Sequence, residues 1–310
     1  MQITKTLSSL IRDEALKLGF DACGIAEVSV VSSEHRDKFG SWLKKGFQAE
    51  MGYMERNQEK RLDPSLLVEG AKSVIVVAVN YYHQATSEKK HARIAKYAVN
   101  LDYHQIIRDK LSELLSIINR QGTKVTGRAF VDSAPVAERY WAAQAGVGWI
   151  GRNRHLIIPS KGSYFLLGEL FVDIVLEYNK PVLSRCGSCK RCIVACPGSA
   201  LSVEDGLDSN RCISYLTIEK KGPFNIQESR LCGENNYLFG CDICQDICPW
   251  NRFSREQTLP FMQPVPEILN LEPDNLKNMS DSDFKKHFFD TCLYRTGIDG
   301  LRRNSGALIG

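Results

Sequence analysis

Leu7, Leu10, Ile11, Ala15 and Leu18 fall on one face at helical spacing within residues 4–18, and Gly19 follows where a left-handed cap belongs, so the pattern predicts an amphipathic helix. Val74 to Tyr82 (VIVVAVNYY) is β-branched or aromatic almost throughout and too short for a core helix; it predicts a strand buried on both faces. Ile106, Ile107, Leu111, Leu114, Leu115 and Ile118 form a second helical face that ends at Gly122. A strand over Val125 to Val131, a helix from Pro135 to Ala145 and a β-prone run from Ser163 to Tyr178 continue the alternation, which defines an α/β domain over residues 1–180. At Asn179-Lys180-Pro181 the apolar strands give way to CGSCKRC, and a small module spans 181–255. The remainder, 256–310, thins into short polar and proline-containing stretches, with a weak helix near Asp281 to Phe289. Its last stretch, GLRRNSGALIG, reads as a helix that is beginning as the chain stops.

The 310 residues are 43% apolar and 25% charged, which excludes disorder and leaves room for real cores. No apolar run approaches the roughly 20 residues of a membrane span. The start, MQITKTLSSLIRDEALKLGF, has acids and an amphipathic period where a signal peptide is apolar, so a cytoplasmic protein is expected. The net charge of +4 hides a split. His83 to Arg128 holds nine Lys/Arg against four Asp/Glu and Trp149 to Arg191 seven against three, whereas everything after Arg191 has twelve against sixteen. Such basic stretches suit a phosphate-rich partner, although a solvated face with nearby counter-charges explains them equally well.

Eleven cysteines sharpen the picture, because nine lie between Cys186 and Cys248. In a reducing compartment such a cluster indicates metal ligation. Cys186-x-x-Cys189-x-x-Cys192-x-x-x-Cys196-Pro197 has the spacing of the bacterial ferredoxin run, in which three thiolates wrap one cubane and the fourth ligates another. Cys241-x-x-Cys244-x-x-x-Cys248-Pro249 repeats the ending without its first cysteine. By the crossover, Cys186, Cys189, Cys192 and Cys248 hold one cluster, and Cys196, Cys241, Cys244 and either Cys212 or Cys232 hold the other. A zinc ribbon has no use for the doubled C-x-x-x-C-P ending. Cys23 and Cys292 read as small buried hydrophobes. Neither G-x-G-x-x-G nor G-x-x-x-x-G-K-[ST] occurs, so the residues alone indicate an iron–sulfur redox protein and go no further.

Longer strings resemble a known family. Asp132-Ser-Ala-Pro-Val-Ala-Glu-Arg, Ala145-Gly-Val-Gly-Trp-Ile-Gly-Arg-Asn, Lys96-Tyr-Ala with Asp102-Tyr-His, Arg211-Cys-Ile-Ser-Tyr-Leu-Thr-Ile-Glu and Tyr237-Leu-Phe-Gly-Cys-Asp-Ile-Cys-Gln-Asp-Ile-Cys-Pro-Trp-Asn are similar to epoxyqueuosine reductases (the QueG family), over about Phe20 to Asn304. The resemblance implies a cobalamin-dependent oxidoreductase that reduces epoxyqueuosine to queuosine at the tRNA wobble position. It implies a cobalamin-binding α/β domain followed by a ferredoxin-like double [4Fe–4S] domain, with no protein histidine on the cobalt. It also implies Cys212, rather than Cys232, as the remaining cluster ligand, and Asp132 as the proton donor. Without the family, Asp132 reads as a cap for the helix near Pro135. A donor must rest protonated, so burial over the corrin is expected to raise its pKa.

Arg56, Tyr97, Asn153, Ser160 and Ser163 match segments that line the corrin in the family, and Ser214 and Tyr215 follow Cys212. His155 is given no chemical role. An anticodon stem-loop then suits the basic stretches, with Lys89, Lys90, Arg93, Arg152 and Arg154 as phosphate contacts and Tyr103 or Tyr140 against the modified base. An electron donor such as a flavodoxin or ferredoxin is implied, and a monomer is expected. Longer family members carry a C-terminal helical-repeat extension. Two rival readings are a corrinoid reductive dehalogenase, which usually bears a twin-arginine signal absent here, and an electron-transfer module without its own catalysis.

Overall fold

Thr6 starts the first helix by accepting Ser9 N–H on its hydroxyl at 3.3 Å, and Gly19 ends it at φ +94°, as the sequence pattern predicts. The computed structural model describes residues 6–84 and 92–309. In chain order the elements are α1 (Leu7–Lys17), β1 (Ala22–Glu27), α2 (Ser33–Lys44), α3 (Gln58–Leu62), β2 (Ser73–Asn80), β3 (Arg93–Ile94), α4 (Tyr103–Asn119), β4 (Gly127–Phe130), α5 (Glu138–Gln144), β5 (Trp149–Ile150), β6 (Leu156–Ile157) and β7 (Phe165–Val172). There follow α6 (Arg191–Val194), α7 (Ile213–Ile218), α8 (Ile226–Glu234), β8 (Tyr237–Phe239), α9 (Ile243–Asp246), α10 (Pro266–Leu269), α11 (Pro273–Lys277), α12 (Asp281–Phe288) and α13 (Gly297–Ile309).

The chain divides into two compact units that interleave in sequence. The first comprises Met1–Ser41, Tyr53–Asn80 and Tyr103–Ser188, and the second Trp42–Gly52, Tyr81–Asp102 and Cys189–Gly310. This differs from a linear boundary at residue 180. Residues 81–102 join the second unit because Arg93 and Ile94 pair in parallel with Tyr237 and Phe239 of β8. Residues 181–188 stay with the first unit, where Arg152 Nη2 donates to Gly187 O at 2.7 Å. The segment 256–310 is part of the second unit rather than a module of its own.

The first unit is built on one sheet of order β1-β2-β7-β4. Every pairing in it is antiparallel, which corrects the alternating α/β reading: the connections return each strand beside its neighbour in the opposite sense. Strand β2 is apolar along both faces because both are covered. Val74, Val76 and Ala78 pack with Trp141 and Ala142 of α5 and Ala145 just after it, while Gly168 of β7 leaves room for Ile107 and Leu111 of α4 beside Val77 on the other face. Residues directly opposite in antiparallel strands share a face, so Val76, Glu169 and Phe130 form one row under α5.

In the second unit the last helix is anchored through its middle. Leu301, Asn304 and Ser305 of α13 are fully buried, and Asn304 Nδ2 donates to Thr217 O at 2.8 Å and Leu238 O at 2.9 Å, tying α7 to β8. The stretch that reads as a helix just beginning is thus part of α13, which starts at Gly297.

Candidate functional site

In the first unit, β4 ends at Phe130 and the chain turns sharply at Asp132, whose φ is +55°. That left-handed conformation is costly for a residue with a Cβ and is held here by specific bonds. Asp132 N–H donates to Glu138 Oε1 at 2.5 Å. The Asp132 carboxylate faces α4: Tyr103 donates its hydroxyl to Oδ2 at 3.3 Å, and His104 Nε2 lies 3.2 Å from the same oxygen. The two rings stack at 4.3 Å, which fixes both donors. Asp132 does not cap α5, whose N-cap is Ala137.

Two carboxyls that the sequence reading passed over stand beside Asp132. Glu138 is pushed up to about 7, by burial first and by the charge of Asp132 second, against the pull of Asp132 N–H, Arg139 and His104. Glu169 is held well above the usual carboxylate range by burial and then by Glu138 and Asp132. Neither of its buried carboxyl oxygens has a hydrogen-bond partner among the described residues. Arg61 lies in the field of Glu138 and Asp132 and donates Nη1 to Val136 O at 3.2 Å. Glu138 was visible in the Asp132 string, and Glu169 as a single acid in FLLGELFV, an unusual residue for a strand interior. The Asp132 side chain itself is 49% exposed.

The other candidate residues of this unit are dispersed around the Gly146–Gly162 loop and its neighbour. Gly146 has φ +70°, and a Cβ at Gly148 would sit 2.3 Å from Ile157 O, which explains two glycines of the string. Asn153 is buried, its Oδ1 accepting His155 N–H at 3.3 Å; Ser163 is buried; Ser160 is exposed at φ +59°. Arg56 is exposed in the turn before α3. Burial lowers His155 to about 3, which keeps its ring neutral.

In the second unit Tyr97 is half-buried between the rings of Tyr81 and Phe239, each 6.4 Å away. Tyr215 is buried and its hydroxyl accepts Glu50 N–H at 3.1 Å; Ser214 is half-buried beside it. Cys196, Cys212, Cys241 and Cys244 all lie within one another's electrostatic reach. Burial raises Cys212, Cys241 and Cys244, and the neighbouring thiols raise them further. Backbone N–H groups of Ser214 and Tyr215 point at the Cys212 sulfur, that of Ile243 at Cys241, and Ala200 N–H at Cys196 Sγ at 3.3 Å. Desolvated thiols gathered this way shed their protons only to a strongly cationic centre. Among the described residues no three or more His, Cys, Asp or Glu side chains converge tightly enough for a single metal ion. Cys192 and Cys244 stand in the short helices α6 and α9, which pack together. Cys232 is wholly buried in the apolar cluster of Ile213, Leu216 and Tyr237.

Among the candidate tRNA contacts, Lys89 and Lys90 lie outside the described residues. Arg93 is engaged within its own unit, 4.4 Å over the Tyr237 ring and 3.4 Å from Asp246. Tyr103 is buried against Asp132, and Tyr140 accepts Ser32 N–H at 3.0 Å and packs on His35, so both rings serve the fold. Arg154 is exposed.

The thiol arrangement and the spacing define a class: residues 185–251 match the 4Fe–4S double cluster binding domain, so the chain is an iron–sulfur protein. Residues 61–133 match the family described as epoxyqueuosine reductase QueG, DUF1730. An epoxyqueuosine reductase from Cellulophaga algicola is 43% identical over 297 residues, covering 96% of each chain. The chain therefore belongs to the epoxyqueuosine reductase family. A solved epoxyqueuosine reductase with a tRNA-Tyr epoxyqueuosine-modified stem loop superposes with TM-score 0.87 at 29% identity, over 98% of this chain and 80% of that one. The Bacillus subtilis enzyme, solved with its catalytic aspartate loop swung out of the active site, gives 0.88 at 28% identity, over 98% and 81%. No helix among the described residues is long and apolar enough to cross a membrane.

Proposed function

We propose that the chain reduces epoxyqueuosine to queuosine at the wobble position of tRNA, with two [4Fe–4S] clusters and cobalamin, and that Asp132 is its proton donor. The observation that carries this reading is the coexistence, in a chain alike to these reductases over nearly its whole length, of a gathered thiol quartet with an aspartate held out of ordinary backbone geometry. A solved relative binds the epoxyqueuosine-bearing stem loop, and another has its catalytic aspartate on a loop that swings. Asp132 stands on such a turn.

Cys186, Cys189, Cys192 and Cys248 hold one cluster and Cys196, Cys212, Cys241 and Cys244 the other; the mutual reach of the second four supports that set. For cobalamin, buried Asn153 and Ser163 bracket a loop in which Arg154, Ser160 and Gly162 all have positive φ and the Arg154 and Ser160 side chains are exposed. Such a loop fits the amide rim of a corrin. Arg56 and Ser160, exposed in the same unit, are the further proposed contacts. When bound, cobalamin supplies a reduced cobalt nucleophile strong enough to open an epoxide, with electrons from the clusters. The protein's own part is acid catalysis: expulsion of a bare alkoxide at neutral pH is unfavourable, and Asp132 donates a proton to that oxygen as it departs. Tyr103 and His104 keep its carboxyl aimed. An external flavodoxin- or ferredoxin-like donor feeds the clusters, the chain acts as a monomer, and Arg152 and Arg154 meet phosphates.

Asp132→Asn keeps the fold and shape but has no proton to give. It is expected to retain iron and cobalamin after anaerobic loading and to lose turnover by about 10²-fold or more. Full turnover in that variant removes Asp132 from the chemistry.

A further inference from the structure

Behind Asp132 lies a row of acids that the reaction as described does not use. Glu138 opens α5 and receives Asp132 N–H, so it fixes the left-handed turn directly. Glu169 sits in the strand row beneath α5, between Val76 and Phe130, fully buried with both oxygens unpartnered among the described residues. A carboxyl in such surroundings holds its proton, because nothing there solvates the charge. Neutral Glu169 therefore offers Glu138 no competing negative charge.

We propose that Glu138 is the positioning residue of the proton donor: it pins the Asp132 turn through the backbone, and its carboxylate keeps one proton on the Asp132–Glu138 pair. This rests on the reading of Asp132 as the donor. The groups facing the pair are Glu169 from β7, Tyr103 and His104 from α4, Arg61 from α3 and Arg139 from α5 itself. Three of these favour ionised carboxylates, namely Arg61, Arg139 and His104 when protonated, yet burial and the mutual repulsion of the pair hold Glu138 up to about 7. Two adjacent carboxyls share their protons, so one proton stays on the pair below that pH and leaves above it. Activity that needs the proton falls as pH rises through the same range.

Glu138→Gln keeps an oxygen that can accept Asp132 N–H and deletes the charge. The alkaline limb of the pH–rate profile of the loaded enzyme is expected to move to lower pH by at least about one unit. Glu138→Ala also loses the acceptor and should be slowed at every pH. A second readout needs no turnover. In the cluster-loaded, cobalamin-free full chain, infrared titration should show a carboxylic acid band lost with a midpoint of about 7 in the wild type. Both Glu138→Gln and Asp132→Asn should shift that midpoint to lower pH, because removing either partner frees the other. If Glu138→Gln slows the enzyme uniformly with its limb unmoved, or if the infrared midpoint stays in place in Asp132→Asn, the inference is overturned. An Asp132→Asn enzyme that turns over normally sinks the donor reading instead, so the two failures are distinguishable.

Discussion

Glu169 sets a pH dependence for the fold itself. In the unfolded chain its carboxyl titrates near the ordinary value of about 4.3, whereas the folded chain holds it well above that range. The native state therefore binds the extra proton between those two values. Stability falls as pH rises through that window, by up to about 1.4 kcal/mol per pH unit for this one group. Glu169→Gln removes the liability while nearly preserving volume. We expect the variant to unfold at a higher denaturant midpoint than the wild type at about pH 8, with the advantage shrinking as the pH is lowered toward about 4. A variant less stable than the wild type at the alkaline end would mean that a partner stabilises the ionised carboxylate. Asp132 was legible as a residue to watch only through its family string, since a lone aspartate before a helix ordinarily caps it. Its actual surroundings, Tyr103, His104 and Glu138, come from α4 and α5, 28 or 29 residues back and six residues on, and no local pattern announces their meeting.

Secondary elements favour Cys212 over Cys232 as the proposed ligand. Cys212 is the N-cap of α7, where the N–H groups of Ser214 and Tyr215 converge on its sulfur and the helix end favours a negative charge. Cys232 lies inside α8 against Ile213, Leu216 and Tyr237, and burial pushes its thiol up to about 12. Cys212→Ala should therefore bind about four irons per chain, and Cys232→Ala about eight, as counted after anaerobic reconstitution. The reverse result would exchange their roles. Element patterns were the most readable part of the sequence: the faces of α1 and α4 and the doubly covered strand β2 follow from periodicity alone. The antiparallel sense of the sheet did not, because a strand buried by helices on both sides has the same apolar run whichever way its neighbours point.

At the scale of the whole molecule, sequence order and spatial order part company. Composition changes sharply near residue 180, but the unit that carries most of the cysteines also recruits residues 42–52 and 81–102, through backbone bonds such as Ser209 N–H to Phe47 O at 2.9 Å and Ala95 N–H to Phe239 O at 2.8 Å. Those recruited segments are ordinary in composition, and only their partners reveal where they belong. Tyr97 is carried into the second unit in this way, while Asp132 and Asn153 remain in the first. The basic stretches divide likewise: Arg93 is engaged by Tyr237 and Asp246, so the net charge of a segment overstates what is free to meet a phosphate. The most direct test of the account is mass analysis of nucleosides released from epoxyqueuosine-bearing tRNA after incubation with the reduced, cluster-loaded protein. With cobalamin present, the modified nucleoside is expected to lose one oxygen and become queuosine, and without cobalamin to stay unchanged. Unaltered epoxyqueuosine after treatment with protein carrying its full iron and corrinoid would contradict it.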